Sequence, residues 1–470
     1  MQHNKFLRSG VLVVALSLLL FWGGLALAAE SETVDLDQYV GSGACKGCHY
    51  NTHESWAASP HGRFIRDAQD PENVVPDLLS VPDESLADLF FYARYVLTGS
   101  DHQRFIFKAK DGHLYYLPYT YNFETGWQPY NLEDFKAGKM RRWDDYCVKC
   151  HTTGYDPETG KFAELSIACE ACHGPAKEHV LSGGDPEKVT RVSDPESCAK
   201  CHAGRVQYDS WAISGHAKAL EDLKSRPYAR DYCAACHAAD SRLAGVPLAE
   251  AEKGVPCSPC HNLHPAAGEE HGALLRTEGN ELCTTCHNGH LTGTTFEPGS
   301  TVHHPMEEMY MGVGAIGVAG SGNFHFVYNV TCVDCHAIEV DKLEGQTYRH
   351  GGTSHTFEPM TPAKAEELGV ESDVCTKCHA DSSPEIRQSY IDFWQSQVST
   401  RLAEVKALLD EAQAYVDSAP DDLKAKYDAA YTNYTMVLND GSKGVHNFEY
   451  AMRILIYSKG LLNEFLSAVK

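Results

Sequence analysis

The sequence predicts a mainly α-helical chain with much irregular loop structure, one small β-hairpin insert and a C-terminal helical bundle. Three observations carry that expectation. All 18 cysteines of the 470 residues fall in nine C-x-x-C-H pentapeptides, so none is left over for a disulfide. Glycine (38) and proline (21) are scattered between those pentapeptides, which favours turns over long regular elements. After His379 the cysteines stop, and apolar residues recur at helical intervals. Composition narrows the class further. A chain that is 43% hydrophobic and 10% aromatic is not disordered. With 64 acids against 40 bases and a formal charge of −24, bulk charge excludes a nucleic-acid binder. The chain is also several times too long for a small disulfide scaffold.

The pentapeptides supply the chemistry. They are Cys45, Cys48 and His49; Cys147, Cys150 and His151; Cys169, Cys172 and His173; Cys198, Cys201 and His202; and Cys233, Cys236 and His237. The remaining four are Cys257, Cys260 and His261; Cys283, Cys286 and His287; Cys332, Cys335 and His336; and Cys375, Cys378 and His379. One such motif could be a redox dithiol or half a zinc site, but nine with an adjacent His each time point to covalently attached haem c. The two thiols bond the two vinyl groups of one porphyrin, and the His reaches the iron as proximal ligand. Nine haems in so short a chain leave little polypeptide for a protein-only core, so a haem-packed core wrapped by loops and short helices is expected.

In chain order, residues 1–28 read as a signal peptide. Lys5 and Arg8 precede an apolar run from Val11 to Phe21, and Ala26-Leu27-Ala28 is an A-x-A cleavage site. Cleavage there removes two bases and no acid, so the mature chain is more acidic still. No later segment has the length of apolar sequence needed to span a membrane. Residues 29–380 form the expected nonahaem cytochrome c domain and 381–470 the bundle. Between His49 and Cys147, Arg104–Leu117 reads as a β-hairpin turning at Asp111-Gly112. Six motifs then crowd between Cys147 and Cys286. An internal echo links Ser55-Trp-Ala-Ala-Ser-Pro-His61, after the first motif, with Ser210-Trp-Ala-Ile-Ser-Gly-His216, after the fourth. In the bundle, Ser383-Pro384-Glu385 opens one helix, Pro420 a second that Asn439-Asp440-Gly441 ends, and Val445 to Phe465 marks a third. Their apolar stripes read as ordinary packing, with a homo-oligomer interface as the sharper alternative.

Sixteen His lie outside the motifs, and fifteen survive cleavage as candidate distal ligands. The best candidates by setting are His61, His179, His216, His264, His290, one of the adjacent His303 and His304, His350, His355 and His446. His53, His102, His113, His271 and His325 are weaker. Met306, Met309 and Met311 read as packing residues.

Several segments resemble bacterial multihaem cytochromes c. Cys147-Val-Lys-Cys150-His151-Thr-Thr-Gly-Tyr155 and Ile167-Ala-Cys169-Glu-Ala-Cys172-His173-Gly-Pro-Ala-Lys-Glu-His179 are similar to the central motifs of the group containing pentahaem nitrite reductase, octahaem hydroxylamine oxidoreductase and its tetrahaem cytochrome partner. Gly444-Val-His446-Asn447 is similar to the nitrite reductase end, where the resemblance implies a distal His. Cys257–His290 and Val302-His-His-Pro305 resemble periplasmic decahaem carriers. All nine motifs here end in His, whereas ammonia-forming nitrite reductases usually attach the catalytic haem through C-x-x-C-K. The expected function is a periplasmic or secreted nonahaem electron carrier of anaerobic respiration, with mostly bis-His haems. Its partners would be other redox proteins, basic cytochromes or a membrane quinol-oxidising complex, with no nucleic acid. The alternatives are a multi-electron oxidoreductase of a small nitrogen or sulfur oxyanion at an open axial site, and an extracellular filament.

Overall fold

A computed structural model describes residues 34–190, 195–265, 274–343 and 346–470. The expected signal peptide at 1–28 and the candidate His271 lie outside the described residues. The hairpin expected at 104–117 is present but larger. It comprises the third and fourth strands of a five-stranded antiparallel meander, ordered β1 (Ile65–Asp67), β2 (Tyr95–Thr98), β3 (His102–Lys108), β4 (Leu114–Asn122) and β5 (Gly126–Pro129). The turn sits where Asp-Gly predicts it, with Gly112 at φ 87° and the His113 N–H donating to the Asp111 carboxylate at 3.0 Å. Side chains alternate between the two faces. One face buries Phe105, Phe107, Tyr115, Leu117 and Tyr119 against Phe90 from a helix over Glu84–Phe91. The other buries Ile106 and Tyr116 with Trp143 and Val148, which lie at the second motif. The sheet therefore acts as a bracket for Cys147–His151. Two smaller hairpins follow, β6 (Thr152–Thr153) with β7 (Glu164–Leu165), and β8 (Glu339–Leu343) with β9 (Gln346–Thr353).

The echoed Ser-Trp segments form two helix pairs. Tyr50–Ala58 (α1) turns into Pro60–Arg63 (α2), and Val206–Ile213 (α3) into Gly215–Lys224 (α4). At each junction the second Ser of the repeat is extended and caps the following helix. The Ser59 hydroxyl accepts from Gly62 N–H at 3.2 Å, and Ser214 accepts from Ala217 N–H at 3.4 Å.

The C-terminal helices are α5 (Pro384–Ala412), α6 (Asp421–Asp440) and α7 (Phe448–Val469). Ser383 caps α5 with Pro384 at its first position, Gly441 closes α6 at φ 73°, and Asn447 caps α7. Their core holds Val398, Val405, Met436, Ile454, Leu455 and Phe465. It also takes in Phe296, Val302, Met309 and Ala315 from the preceding loop. Polar residues inside α6 satisfy that loop's backbone. Asn433 exchanges two hydrogen bonds with Ile316 (2.8 and 3.0 Å), and Asn439 donates to the Val302 carbonyl at 2.6 Å. At the other end of the bundle, Arg387 bonds Asp373 at 2.5 Å and the carbonyl of His379 at 3.1 Å, clamping the ninth motif to α5.

Ile454 is fully buried in this core. Ile454→Ala is expected to cost about 2–5 kcal/mol through lost burial and the cavity left behind, measured as a lower denaturation midpoint of the helical signal.

Candidate haem-binding sites

Each motif winds through one helical turn. The His N–H donates to the carbonyl of the first Cys at 2.8 Å in Cys45–His49, 3.1 Å in Cys147–His151, 2.9 Å in Cys257–His261 and Cys283–His287, and 2.8 Å in Cys375–His379. Positions one, four and five of such a turn share a face. Two sulfurs and an imidazole thus meet one ligand, which is what attachment of a porphyrin through thioethers with axial ligation requires. Residues of eight of the nine motifs line one continuous cavity of about 2820 Å³.

The spacing of imidazoles tests the fit to iron. A ring nitrogen binds a metal at about 2.0 Å and lies about 1.1 Å from its ring centre, so two rings flanking one iron stand about 6.2 Å apart. The structure places His49 and His179 at 6.4 Å, His202 and His61 at 6.4 Å, His173 and His264 at 6.4 Å, and His261 and His355 at 6.1 Å. His336 faces His446 at 6.2 Å and His379 faces His325 at 6.3 Å. His237 has His303 at 6.4 Å and His304 at 6.1 Å, while His287 has His216 at 5.9 Å and His304 at 5.7 Å. His237, His303 and His304 also bring their nitrogens within 4.8 Å of one another. His151 differs. It stacks face to face on Phe64 at 4.3 Å, and among the described residues no second His ring pairs with it. Phe64 covers a face of the His151 ring rather than the edge through which a ring nitrogen would bind a metal, and so braces it.

The other ring nitrogens support the same geometry. Nδ1 of His173, His179, His336 and His355 bonds the backbone carbonyls of Thr190, Asp185, Phe357 and Thr353 at 2.7–2.9 Å. A carbonyl only accepts, so Nδ1 carries the proton and Nε2 keeps the lone pair a metal needs. Burial also disfavours the charged form of many of the rings at these sites. It pushes His151, His287 and His304 down to about 4, and lowers His61, His202, His216, His264, His303, His325, His336 and His355. His446 is the exception. Burial disfavours its charge, but the Asp440 carboxylate at 2.6 Å outweighs that and raises its pKa.

The sequence-nominated residues therefore divide. His61, His179, His216, His264, His303, His304, His355 and His446 each stand opposite a motif His. His290 is exposed, in a left-handed turn at φ 55°. His350 lies in β9, and its side chain is outside the described residues. His53, His102 and His113 bond Glu54, Asp101 and Asp144. His325, ranked weak in the sequence, stands across from His379. Asn323, whose side chain caps its short helix, is the local signal that fixes it.

Comparison with known proteins places this arrangement. The family model for cytochrome c552 matches residues 293–461, that for the doubled CXXCH motif matches 246–291, and that for cytochrome c554 and c-prime matches 127–174 and 197–262. The multiheme cytochrome MtrA of Shewanella baltica (strain OS185) is 25% identical over 178 residues, 30% of this chain and 52% of that protein. The chain thus spans about half the length of that curated relative. The crystal structure of the outer cell wall cytochrome OcwA is 28% identical, with a TM-score of 0.77 over 90% of this chain and 100% of that one. The chain is a multihaem c-type cytochrome. The undecaheme cytochrome from the S-layer of Carboxydothermus ferrireducens shares its fold, with a TM-score of 0.65 at 23% identity over 92% of this chain and 70% of that one. No helix among the cytochrome's described residues is long and apolar enough to cross a membrane.

Motifs of the cytochrome that are neighbours in space are often not neighbours in sequence. The first joins the third. Buried Glu170 accepts from Val40 and Gly41 N–H at 3.0 and 2.8 Å, and the Cys169 thiol meets Ser42 at 3.6 Å. Cys172 of the third neighbours Cys198 of the fourth, and Cys198 hydrogen-bonds Cys257 of the sixth. Cys260 of the sixth neighbours Cys286 of the seventh. Cys283 of the seventh bonds Cys332 of the eighth, and Asp334 of the eighth bonds Lys377 of the ninth at 2.7 Å. The second motif branches from the fourth, with the Cys150 thiol donating to the Lys200 carbonyl at 3.9 Å. The fifth branches from the seventh through Cys236 and Cys286. The order 1–3–4 with branch 2 is thus repeated as 4–6–7 with branch 5. The echoed Trp residues act equivalently in both units. Trp56 Nε1 donates to Ile167, two residues before Cys169, and Trp211 Nε1 donates to Val255, two before Cys257, each at 2.8 Å.

His325→Ala is expected to turn one low-spin haem signal high-spin in the electron paramagnetic resonance (EPR) spectrum of the oxidised cytochrome, whereas His290→Ala should leave the spectrum unchanged.

Proposed function

We propose that each of the nine motifs attaches one haem and that the cytochrome carries electrons between redox partners outside the cytoplasm, in anaerobic respiration. The unbroken succession of neighbouring motifs carries this reading. Every motif touches another, so no attachment site is isolated from the rest. When bound, the haems supply one-electron carriers whose potentials follow axial ligation, burial and nearby charge. The protein's share is to hold them in sequence. The motif histidines and His179, His264, His61, His303, His355, His216, His446 and His325 would fill both axial positions of eight irons, with His304 as the spare imidazole between His237 and His287. Filled axial positions favour transfer over substrate chemistry.

An exported location follows from the expected signal at 1–28 and from haem attachment itself, which bacteria complete outside the cytoplasm. Relatives described as outer cell wall and S-layer cytochromes agree with it. The formal charge of −24 suits docking to basic partner surfaces at salt-sensitive rates. Intact-mass measurement is expected to show nine covalent haems, and the reduced cytochrome should reoxidise with a basic cytochrome as acceptor. Fewer haems, or no transfer to any soluble acceptor, would overturn the reading.

One observation favours a second reading, reduction or oxidation of a small oxyanion. His151 has no opposing His among the described residues. A cavity of about 730 Å³ beside Cys147 is lined by Lys139, Arg141 and Arg142 together with Asp134 and Asp145, and Arg142 is paired with Asp145 at 2.8 Å, so Lys139 and Arg141 are the cations left to attract an anion there. Under this reading the oxidised cytochrome shows one high-spin ferric signal that shifts when nitrite or hydroxylamine is added, and Arg141→Ala weakens that shift. An entirely low-spin spectrum would rule it out.

A further inference from the structure

His446, which faces the motif residue His336, has a partner of a different kind from four other imidazoles of these sites. His173, His179, His336 and His355 give Nδ1 to neutral backbone carbonyls. His446 gives Nδ1 to a carboxylate, Asp440 Oδ1, at 2.6 Å. The Asp440 side chain is 1% exposed, and its one ion pair among the described residues is with His446. Its second oxygen accepts the Ser442 hydroxyl, and the Ser442 oxygen in turn accepts N–H bonds from Gly444 and His446, each at 3.2 Å. The turn is held firmly. Gly441 and Gly444 sit at φ 73° and 98°, and a Cβ on Gly444 would meet Val398 at 2.8 Å. Asn323 Nδ2 donates to the His446 carbonyl at 2.6 Å. The imidazole and carboxylate are therefore fixed on each other rather than meeting by chance on a mobile loop.

We propose that Asp440 is a potential-setting residue that places the haem held between His336 and His446 at the low-potential end of the cytochrome's range. This rests on the axial assignment of His446 made above. A buried negative charge one imidazole away from the metal stabilises the ferric state, which carries one more positive charge than the ferrous. The hydrogen bond adds to this by giving the ring anionic character and making it a stronger donor to ferric iron. Asp440 touches neither metal nor substrate; it acts through His446. The site belongs to the eighth motif, which lies between the seventh and ninth in the spatial order. Electrons passing to or from the ninth would cross the highest-energy step of that end there.

The test compares full-length, haem-loaded Asp440→Asn and wild type by spectroelectrochemical titration and EPR. Asn keeps the size and a hydrogen-bond acceptor and removes the charge. One redox transition should move to higher potential while the others superimpose and all low-spin signals persist. Ser442→Ala, which takes a donor from Asp440 and leaves its charge more available to His446, should move the same transition lower. Titrations of both variants that superimpose on wild type overturn the proposal. His446→Ala separates this from a failure of the ligand assignment. It should make one low-spin haem high-spin, and an unchanged spectrum would mean that His446 is not a ligand, removing the basis of the proposal as well.

Discussion

The structure is organised by one distance, the roughly 6 Å at which two imidazoles can share an iron. One ring of each pair comes with its own attachment motif and needs no tertiary help to be placed. The other has to be delivered by a distant part of the chain. His179 answers His49, His264 answers His173, His355 answers His261 and His446 answers His336, each from downstream. His61 and His216 answer His202 and His287 from upstream. Metal-centred links of this kind would tie loops that bury little apolar surface of their own. The last motifs have no haem-binding chain downstream to brace them. The bundle supplies that role, with Arg387 holding the ninth motif and the turn before α7 delivering His446 to the eighth.

What could be read from the sequence follows from how local each feature is. The pentapeptides are visible because five consecutive residues contain the whole attachment chemistry. The bundle was legible because Ser383-Pro384, Gly441 and the apolar period declare helix ends and faces independently of context. The hairpin was legible at Asp111-Gly112, but not the strands beside it: β1, β2 and β5 are three or four residues long, and short apolar runs do not distinguish strand from loop. Distal histidines are a tertiary property. Closeness to a motif nominated His290, yet its backbone turns left-handed and its ring is exposed. His325 looked ordinary because nothing in the surrounding aromatic run says that His379 folds against it. The spatial order of the motifs was unreadable for the same reason: the first packs on the third and the fourth on the sixth, so sequence order misleads.

The Ser-Trp echo, by contrast, marks an architectural unit. In both copies the indole N–H pins the chain just ahead of one motif while the His two residues past the capping Ser crosses to the next motif. The two units overlap at the fourth motif, which closes the first and opens the second. This makes the second and fifth motifs equivalent branches, and their surroundings have diverged in opposite directions. The fifth has two imidazoles, His303 and His304, crowded opposite His237. The second has an aromatic brace, the five-stranded sheet behind it and a cavity beside it lined by three bases and two acids, with no opposing His among the described residues. The sheet packs behind the one motif whose His faces no second His ring among the described residues, and so holds that motif's helical turn in place. The repeated order of motifs suits transfer between neighbouring sites, and the departure from that repeat at His151 is where the second proposed reading would place an open axial position.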